Sequence, residues 1–326
     1  MAAARSAVGA SLGVAAAAGV AALAWGTLVE RTMFTVRHEQ LPLLPPGARP
    51  ITILHLSDLH LAPWQEKKIE WVRSLALYEP DLVVDTGDNL GHEDAYEALE
   101  AALAPFQGVE GVFVNGSNDY FGPSVKNPLA YFAGPSRDPA AATVRTAKAL
   151  DTPRMERFFE DSLGWTNLNN AAHSAVIKGS RIEYFGVNDA HRNWDKLGTL
   201  PSAIDELHEN LAWEDDGLIP ADVTIGVTHA PYQRVLNSFV TNGAGLILAG
   251  HTHGGQVRIP GMPALVTNCD IPRNQASGLS LWNHARSTAI LNVSAGIGTS
   301  IYAPVRFACR PEAVVVTLVP ADIRYS

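Results

Sequence analysis

The sequence predicts a layered α/β domain. Three observations carry the prediction. Short apolar runs alternate with segments whose apolar residues recur at helical spacing. The runs end in turns built from glycine, aspartate and asparagine. A chain of 326 residues, 47% hydrophobic and 17% charged, supports a packed core covered on both sides.

The chain opens on 24 uncharged residues between Arg5 and Glu30, rich in Ala, Val, Leu and Gly. A helix of that length reaches about 36 Å, enough to span a bilayer. Residues 1–30 are therefore expected to be a hydrophobic membrane anchor, its orientation unassigned because the flanking charges are too few. Two alternatives stand beside it. Arg5 and Ala22-Leu23-Ala24 have the form of a cleaved signal peptide, with secretion as the outcome, and an Ala-rich helix also suits a core. Residues 31–50, ending in a proline-rich stretch, are expected to be a tether, and residues 51–320 the folded domain.

Within that domain Ile51 to Leu56 is a strand and Gln65 to Tyr78 a helix, with Ile69, Val72 and Ala76 on one face. Asp81 to Asp85 is a strand, His92 to Leu103 a helix and Val112 to Val114 a strand. Residues 121–152 carry four X-Pro turns and are expected to form an insertion, either a lid or a surface loop without a role. Thr152 to Leu163 reads as a helix with Pro153 at its first position. Strands follow at 174–178 and 181–187, a helix at 202–211, and strands at Asp222 to Thr228, Gly245 to Ala249, 288–293 and 313–319.

A net charge of −9 argues against a surface that coats nucleic acid, which demands clustered Lys and Arg. The two cysteines, Cys269 and Cys309, lack zinc-ribbon spacing and read either as one disulfide or as two buried thiols.

Five polar clusters stand at the ends of strands. They are Asp58-Leu59-His60, Gly87-Asp88-Asn89, Gly116-Ser117-Asn118-Asp119, Thr228-His229-Ala230 and Gly250-His251-Thr252-His253. Each alone is an ordinary turn or a hydrogen-bonded histidine. Together their Asp, His and Asn side chains suit Mn, Zn or Fe. The two histidines of Gly250 to Gly255 are bracketed by glycines that permit the turn bringing them to one point.

In this order the clusters resemble those of the calcineurin-like metallophosphoesterases, over roughly residues 40 to 320. The stretches Leu56 to His60, Gly250 to Gln256 and Gly296 to Glu312 resemble the family's bacterial membrane-linked branch. The resemblance implies a two-sheet sandwich flanked by helices, with the site at one sheet edge. It also implies two divalent metal ions of unassigned identity. Asp58, His60 and His253 would hold one ion; His229, His251 and an Asn the other; Asp88 would bridge them. The implied reaction is hydrolysis of a phosphoester or phosphoanhydride by a bridging hydroxide. Imidazoles bind metal when neutral, so activity should fall in acid. The partners implied are a small phosphoester and, through the N-terminal helix, a membrane; that proximity points to lipid-linked or cell-envelope substrates.

The third cluster departs from the family pattern Gly-Asn-His-Asp. Ser117 stands in the ligand column and Asn118 in that of the catalytic histidine. An amide oxygen ligates better than a neutral hydroxyl, so Asn118 is expected to reach the second metal, with Ser117 as the alternative. Asn118 donates a hydrogen bond but supplies no proton near neutrality. His92 is the nearest replacement acid in sequence, and His191 the other candidate. Without such an acid, good leaving groups are favoured. The alternative function is a metal-binding, catalytically weak scaffold or sensor of the same fold.

Overall fold

The computed structural model describes residues 17–123, 147–214 and 220–321. Two six-stranded sheets face each other. The first contains β1 (Thr35–Leu44), β2 (Ile51–Leu56), β3 (Leu82–Asp85), β4 (Glu110–Phe113), β5 (Thr166–Asn167) and β12 (Glu312–Pro320), in the order β1-β12-β2-β3-β4-β5. The second contains β6 (Ala171–Ile177), β7 (Ser180–Val187), β8 (Val223–Thr228), β9 (Leu246–Ala249), β10 (Gly278–His284) and β11 (Ser287–Val293), in the order β10-β11-β9-β8-β7-β6. Parallel pairing joins β2-β3-β4-β5 and β7-β8-β9-β11. Antiparallel pairs are β2-β12, β6-β7 and β10-β11.

Period-two alternation of side chains builds the layers. Ile51 and Ile53 of β2 and Leu82 and Val84 of β3 pack between the sheets against Ile225, Val227, Leu246 and Leu248. Leu54, Leu56 and Val83 point the other way, toward Val72 of the helix Glu66–Ser74 and Leu99 and Leu103 of the helix Tyr96–Leu103. Ile247 and Ala249 meet Val235, Leu236 and Phe239 of the helix Gln233–Thr241. The result is four layers, helix–sheet–sheet–helix, as the resemblance implied.

The expected tether contains β1. It runs parallel to β12 from Thr35↔Glu312 to Pro42↔Val319 and buries Leu41 and Leu44. Its edge position accommodates Pro42, which lacks an N–H to donate. Deleting residues 1–44 removes those two buried leucines and the Arg37–Glu312 pair (3.1 Å). The leucines alone are worth about 3–6 kcal/mol. Differential scanning calorimetry should show a melting temperature roughly 10 °C lower. An unchanged melting temperature would count against a structural role for β1.

The N-terminal expectation is corrected. Residues 1–16 of the expected anchor lie outside the described residues. Among the described residues no helix is long and apolar enough to cross a membrane. Anchoring through an N-terminal helix, and the membrane partner and membrane location drawn from it, are therefore not supported. The described helix at 17–28 instead runs onto the domain. Arg306 N–H donates to Gly26 O (3.1 Å), and Trp25 Nε1 to Glu30 Oε2 (2.9 Å). Buried Glu30 accepts in turn from Cys309 N–H through Oε1 (2.8 Å).

Most of the expected insertion, residues 124–146, lies outside the described residues. Both cysteines are buried, and no disulfide joins them.

Candidate metal centre

The site forms where the C-terminal ends of parallel strands in both sheets meet. Beyond β2 and β3 the chain still pairs: Asp58 N–H donates to Gly87 O (2.9 Å), His60 N–H to Asp88 O (2.9 Å) and Leu61 N–H to Asn89 O (2.8 Å). Hydrogen bonds at the site also link the two sheets. His251 N–H donates to Asp58 Oδ2 (3.0 Å), and His229 Nδ1 lies 2.8 Å from Thr86 O.

Asp58 (φ 51°), His60 (40°), Asp88 (59°), His251 (67°) and His253 (48°) all adopt left-handed backbone. Such conformations cost about 1–3 kcal/mol each and persist only where surroundings hold them. Here they turn side chains from several strand ends toward one volume. Close approach also requires glycine: a Cβ on Gly116 would lie 2.2 Å from Asp88 Oδ1, and one on Gly250 1.9 Å from Ser57 Oγ.

Among the described residues, two groups of donor atoms could hold a metal ion. The first is Asp58, His60 and His253, and the second Asp58, Asp88 and His229. His60 Nε2 is 3.2 Å from His253 Nε2, and both face Asp residues: Asp88 Oδ2 at 3.6 Å and Asp58 Oδ1 at 3.5 Å. His229 Nε2 is 3.5 Å from Asp88 Oδ2 and 3.3 Å from His251 Nδ1. The second group thus draws in Asp58 where His251 was expected, and His251 adjoins it through His229.

The donors fit divalent ions. Asp58 Oδ1 is buried and has no hydrogen-bond partner. His229 donates Nδ1–H to Thr86 O and His251 donates Nε2–H to Asn268 O (3.2 Å), so it is the other ring nitrogen of each, His229 Nε2 and His251 Nδ1, that faces inward. Burial pushes the pKa values of His60, His251 and His253 down to about 3, leaving neutral imidazoles at physiological pH. Burial also disfavours charge on His229, but Asp88 outweighs it and raises His229 well above its ordinary value. Asp88 in turn is held well below the usual carboxylate range: burial raises it, and His229 and His60 lower it further.

Asn118, not Ser117, reaches Asp88. Asn118 N–H donates to Asp88 Oδ1 (2.8 Å) and its Nδ2 to Asp88 Oδ2 (2.5 Å). Turning the amide over would put its oxygen where Nδ2 lies. His92 contacts Trp64 edge-to-face (5.0 Å) and Asp94 (3.7 Å), one loop away from this cluster. His191 is closer: it is buried, its ring lies 4.6 Å from that of His251, and its Nδ1 is 2.9 Å from Tyr232 Oη.

Three further residues hold the loops. Asp119 accepts N–H bonds from Asp88 (2.8 Å), Asn89 (2.7 Å) and Gly116 (2.9 Å), tying the second and third clusters together. Lys68 Nζ is buried and donates to Leu59 O (2.8 Å) and His60 O (3.0 Å); burial pushes its pKa down to about 7. Arg306, wholly buried, donates through Nη2 to Ala295 O (2.8 Å), Gly296 O (2.9 Å) and Gly298 O (2.7 Å) beside Asp58. Asp119 belonged to a cluster visible in sequence. Lys68 gave no signal, because a charged residue in a helix reads as solvated, and Arg306 stood in the stretch Gly296 to Glu312 without being singled out as buried.

Comparison with known proteins agrees with this geometry. A family model described as calcineurin-like phosphoesterase matches residues 51–255. An uncharacterized metallophosphoesterase, YkuE, from Bacillus subtilis (strain 168) is 25% identical over 302 residues, 89% of this chain and 86% of that protein. A Bos taurus transmembrane protein with metallophosphoesterase domain is 26% identical over 230 residues, 66% of this chain and 43% of its own length. Among solved structures, the NAD nucleotidase of Haemophilus influenzae has a TM-score of 0.43 at 10% identity; 76% of this chain and 46% of that chain are covered.

Proposed function

From the premise that this chain belongs to the calcineurin-like phosphoesterase family, we propose how its residues divide the work. The chain is a dinuclear metallophosphoesterase, a hydrolase of phosphoesters or phosphoanhydrides that uses two divalent ions. Asp58, His60 and His253 would hold one ion, His229, His251 and the Asn118 amide would hold the other, and Asp88 would serve both. The observation that carries this reading is that two donor groups adjoin, with Asp88 Oδ2 3.6 Å from His60 Nε2 and 3.5 Å from His229 Nε2 and with Asp58 Oδ1 buried and without a hydrogen-bond partner.

When bound, the two ions supply Lewis acidity to phosphoryl oxygens and lower the pKa of water toward neutrality. The protein's part is to fix the donors. Thr86 O and Asn268 O set the tautomers of His229 and His251. Asn118 N–H holds Asp88 Oδ1, which keeps the carboxylate edge aimed at both groups. Asn118 also stands where the family has its catalytic histidine, and it donates a hydrogen bond without releasing a proton. The leaving group therefore departs largely as an anion, which favours phosphoanhydrides and aryl esters over alkyl esters. We place the chain in a bacterial branch of the family, a reading supported by its similarity to YkuE and independent of any membrane location.

The test uses the full chain with Mn, Zn, Fe or no metal, against aryl phosphate mono- and diesters of graded leaving-group pKa. Two ions per chain, no turnover without metal and a rate falling steeply as leaving-group pKa rises are expected. A flat dependence would show that another group supplies the proton. Turnover absent with every metal would leave a binding protein.

A further inference from the structure

A cavity of about 470 Å³ lies beside the segment that carries His253, outside the metal centre, with Trp25, Glu30, Arg258, Cys309, Arg310 and Glu312 in its walls. That volume falls within the range of small-molecule sites. Its two carboxylates are already engaged. Glu30 accepts from Cys309 N–H and Trp25 Nε1–H, and Glu312 from Arg37 and Ala295 N–H. Its arginines are not. Arg258 spends Nε on Gly254 O and Nη2 on Ser277 Oγ (2.6 Å), which leaves Nη1. The exposed Arg310 guanidinium has no hydrogen bond or ion pair among the described residues. The unspent donors around the cavity thus include two guanidinium groups, and guanidinium forks match oxyanions in shape as well as charge.

We propose that this cavity is a second oxyanion site, binding phosphate or the phosphoryl end of a small phosphorylated molecule. The wall is joined to the metal centre. Cys309 Sγ donates to His253 O (3.3 Å), and Arg258 Nε binds the carbonyl of Gly254, the next residue. An anion that draws Arg258 toward it therefore acts on the segment carrying His253. The binding stands on the cavity alone; its effect on turnover rests on the phosphoesterase reading.

Inorganic phosphate is the probe, with equilibrium dialysis on the full-length, metal-loaded protein. Two classes of bound phosphate are expected. Stripping the metal with EDTA should abolish one and leave the other. Arg310→Ala should weaken the remaining class about tenfold or more, and Arg310→Lys should retain part of it. A single class, or a second class indifferent to Arg310→Ala, overturns the site. In turnover, phosphate should inhibit the wild type with mixed kinetics and Arg310→Ala competitively. Competitive inhibition of both overturns the coupling. A protein without turnover would defeat the phosphoesterase reading while the dialysis result still decided the site.

Discussion

Replacing Asp88 by Asn should lower kcat/KM by about a thousand-fold or more while the fold persists. Asp88 lies against histidines of both proposed ion sites. Its Oδ2 lies 3.6 Å from His60 Nε2 and 3.5 Å from His229 Nε2, and its Oδ1 accepts from Asn118 N–H at 2.8 Å. Asn keeps the shape, but it removes the negative charge that offsets two dications. It also sets an N–H₂ group against donors or lone pairs that faced a carboxylate oxygen. Metal content measured by atomic emission should fall below two ions per chain. In metal-free protein, circular dichroism should match the wild type, because the Asp119 acceptors that hold this loop bind backbone N–H groups and are untouched. The same variant removes the carboxylate that outweighs burial at His229, so the His229 pKa, followed by NMR in metal-free protein, should drop. Full activity with two ions bound would remove Asp88 from the bridge.

The candidate metal-binding clusters stood out in the sequence because of where they sit. β2, β3, β8 and β9 are short apolar runs, and each delivers its Asp or His within a few residues of its last paired position. Glycine next to those residues marked the turns. Where β1 lies, Pro42 and Pro45 outweighed the apolar content and the segment read as a tether. A parallel edge strand tolerates Pro42, and only tertiary pairing with β12 reveals it. The N-terminal run failed for a related reason. Hydropathy and length measure what a helix could cross, and the end of this one is held by Glu30 and by backbone bonding between Arg306 and Gly26. The third cluster was half legible. Ligand chemistry favoured Asn118 over Ser117, but its two bonds to Asp88 depend on the loop that Asp119 gathers. Buried cations were invisible, since neither periodicity nor composition separates Lys68 from a surface lysine.

Arg306→Met should destabilise the protein by about 3–5 kcal/mol, the cost of breaking a buried polar cluster from one side. Nη2 of Arg306 serves three carbonyls, those of Ala295, Gly296 and Gly298, and all three residues are buried. Met fills much of the volume, so the loss isolates hydrogen bonding from cavity formation. Lys brings three donors on a narrower head and should recover part of the stability, which a purely steric role would not predict. The effect should extend to the metal. Gly298 N–H donates to Asp58 O (2.6 Å) and Ile297 N–H to Ser57 O (3.1 Å), so the segment that Arg306 organises backs the first cluster. Affinity for the ion proposed at Asp58, His60 and His253 should therefore fall about 10–100-fold, as for other residues that orient ligands without touching metal. Competition titration with a chromophoric chelator would measure that, and thermal denaturation the stability. An Arg306→Met protein as stable as the wild type, with both ions bound as tightly, would show that the three carbonyls find other donors and that the loop holds Asp58 unaided.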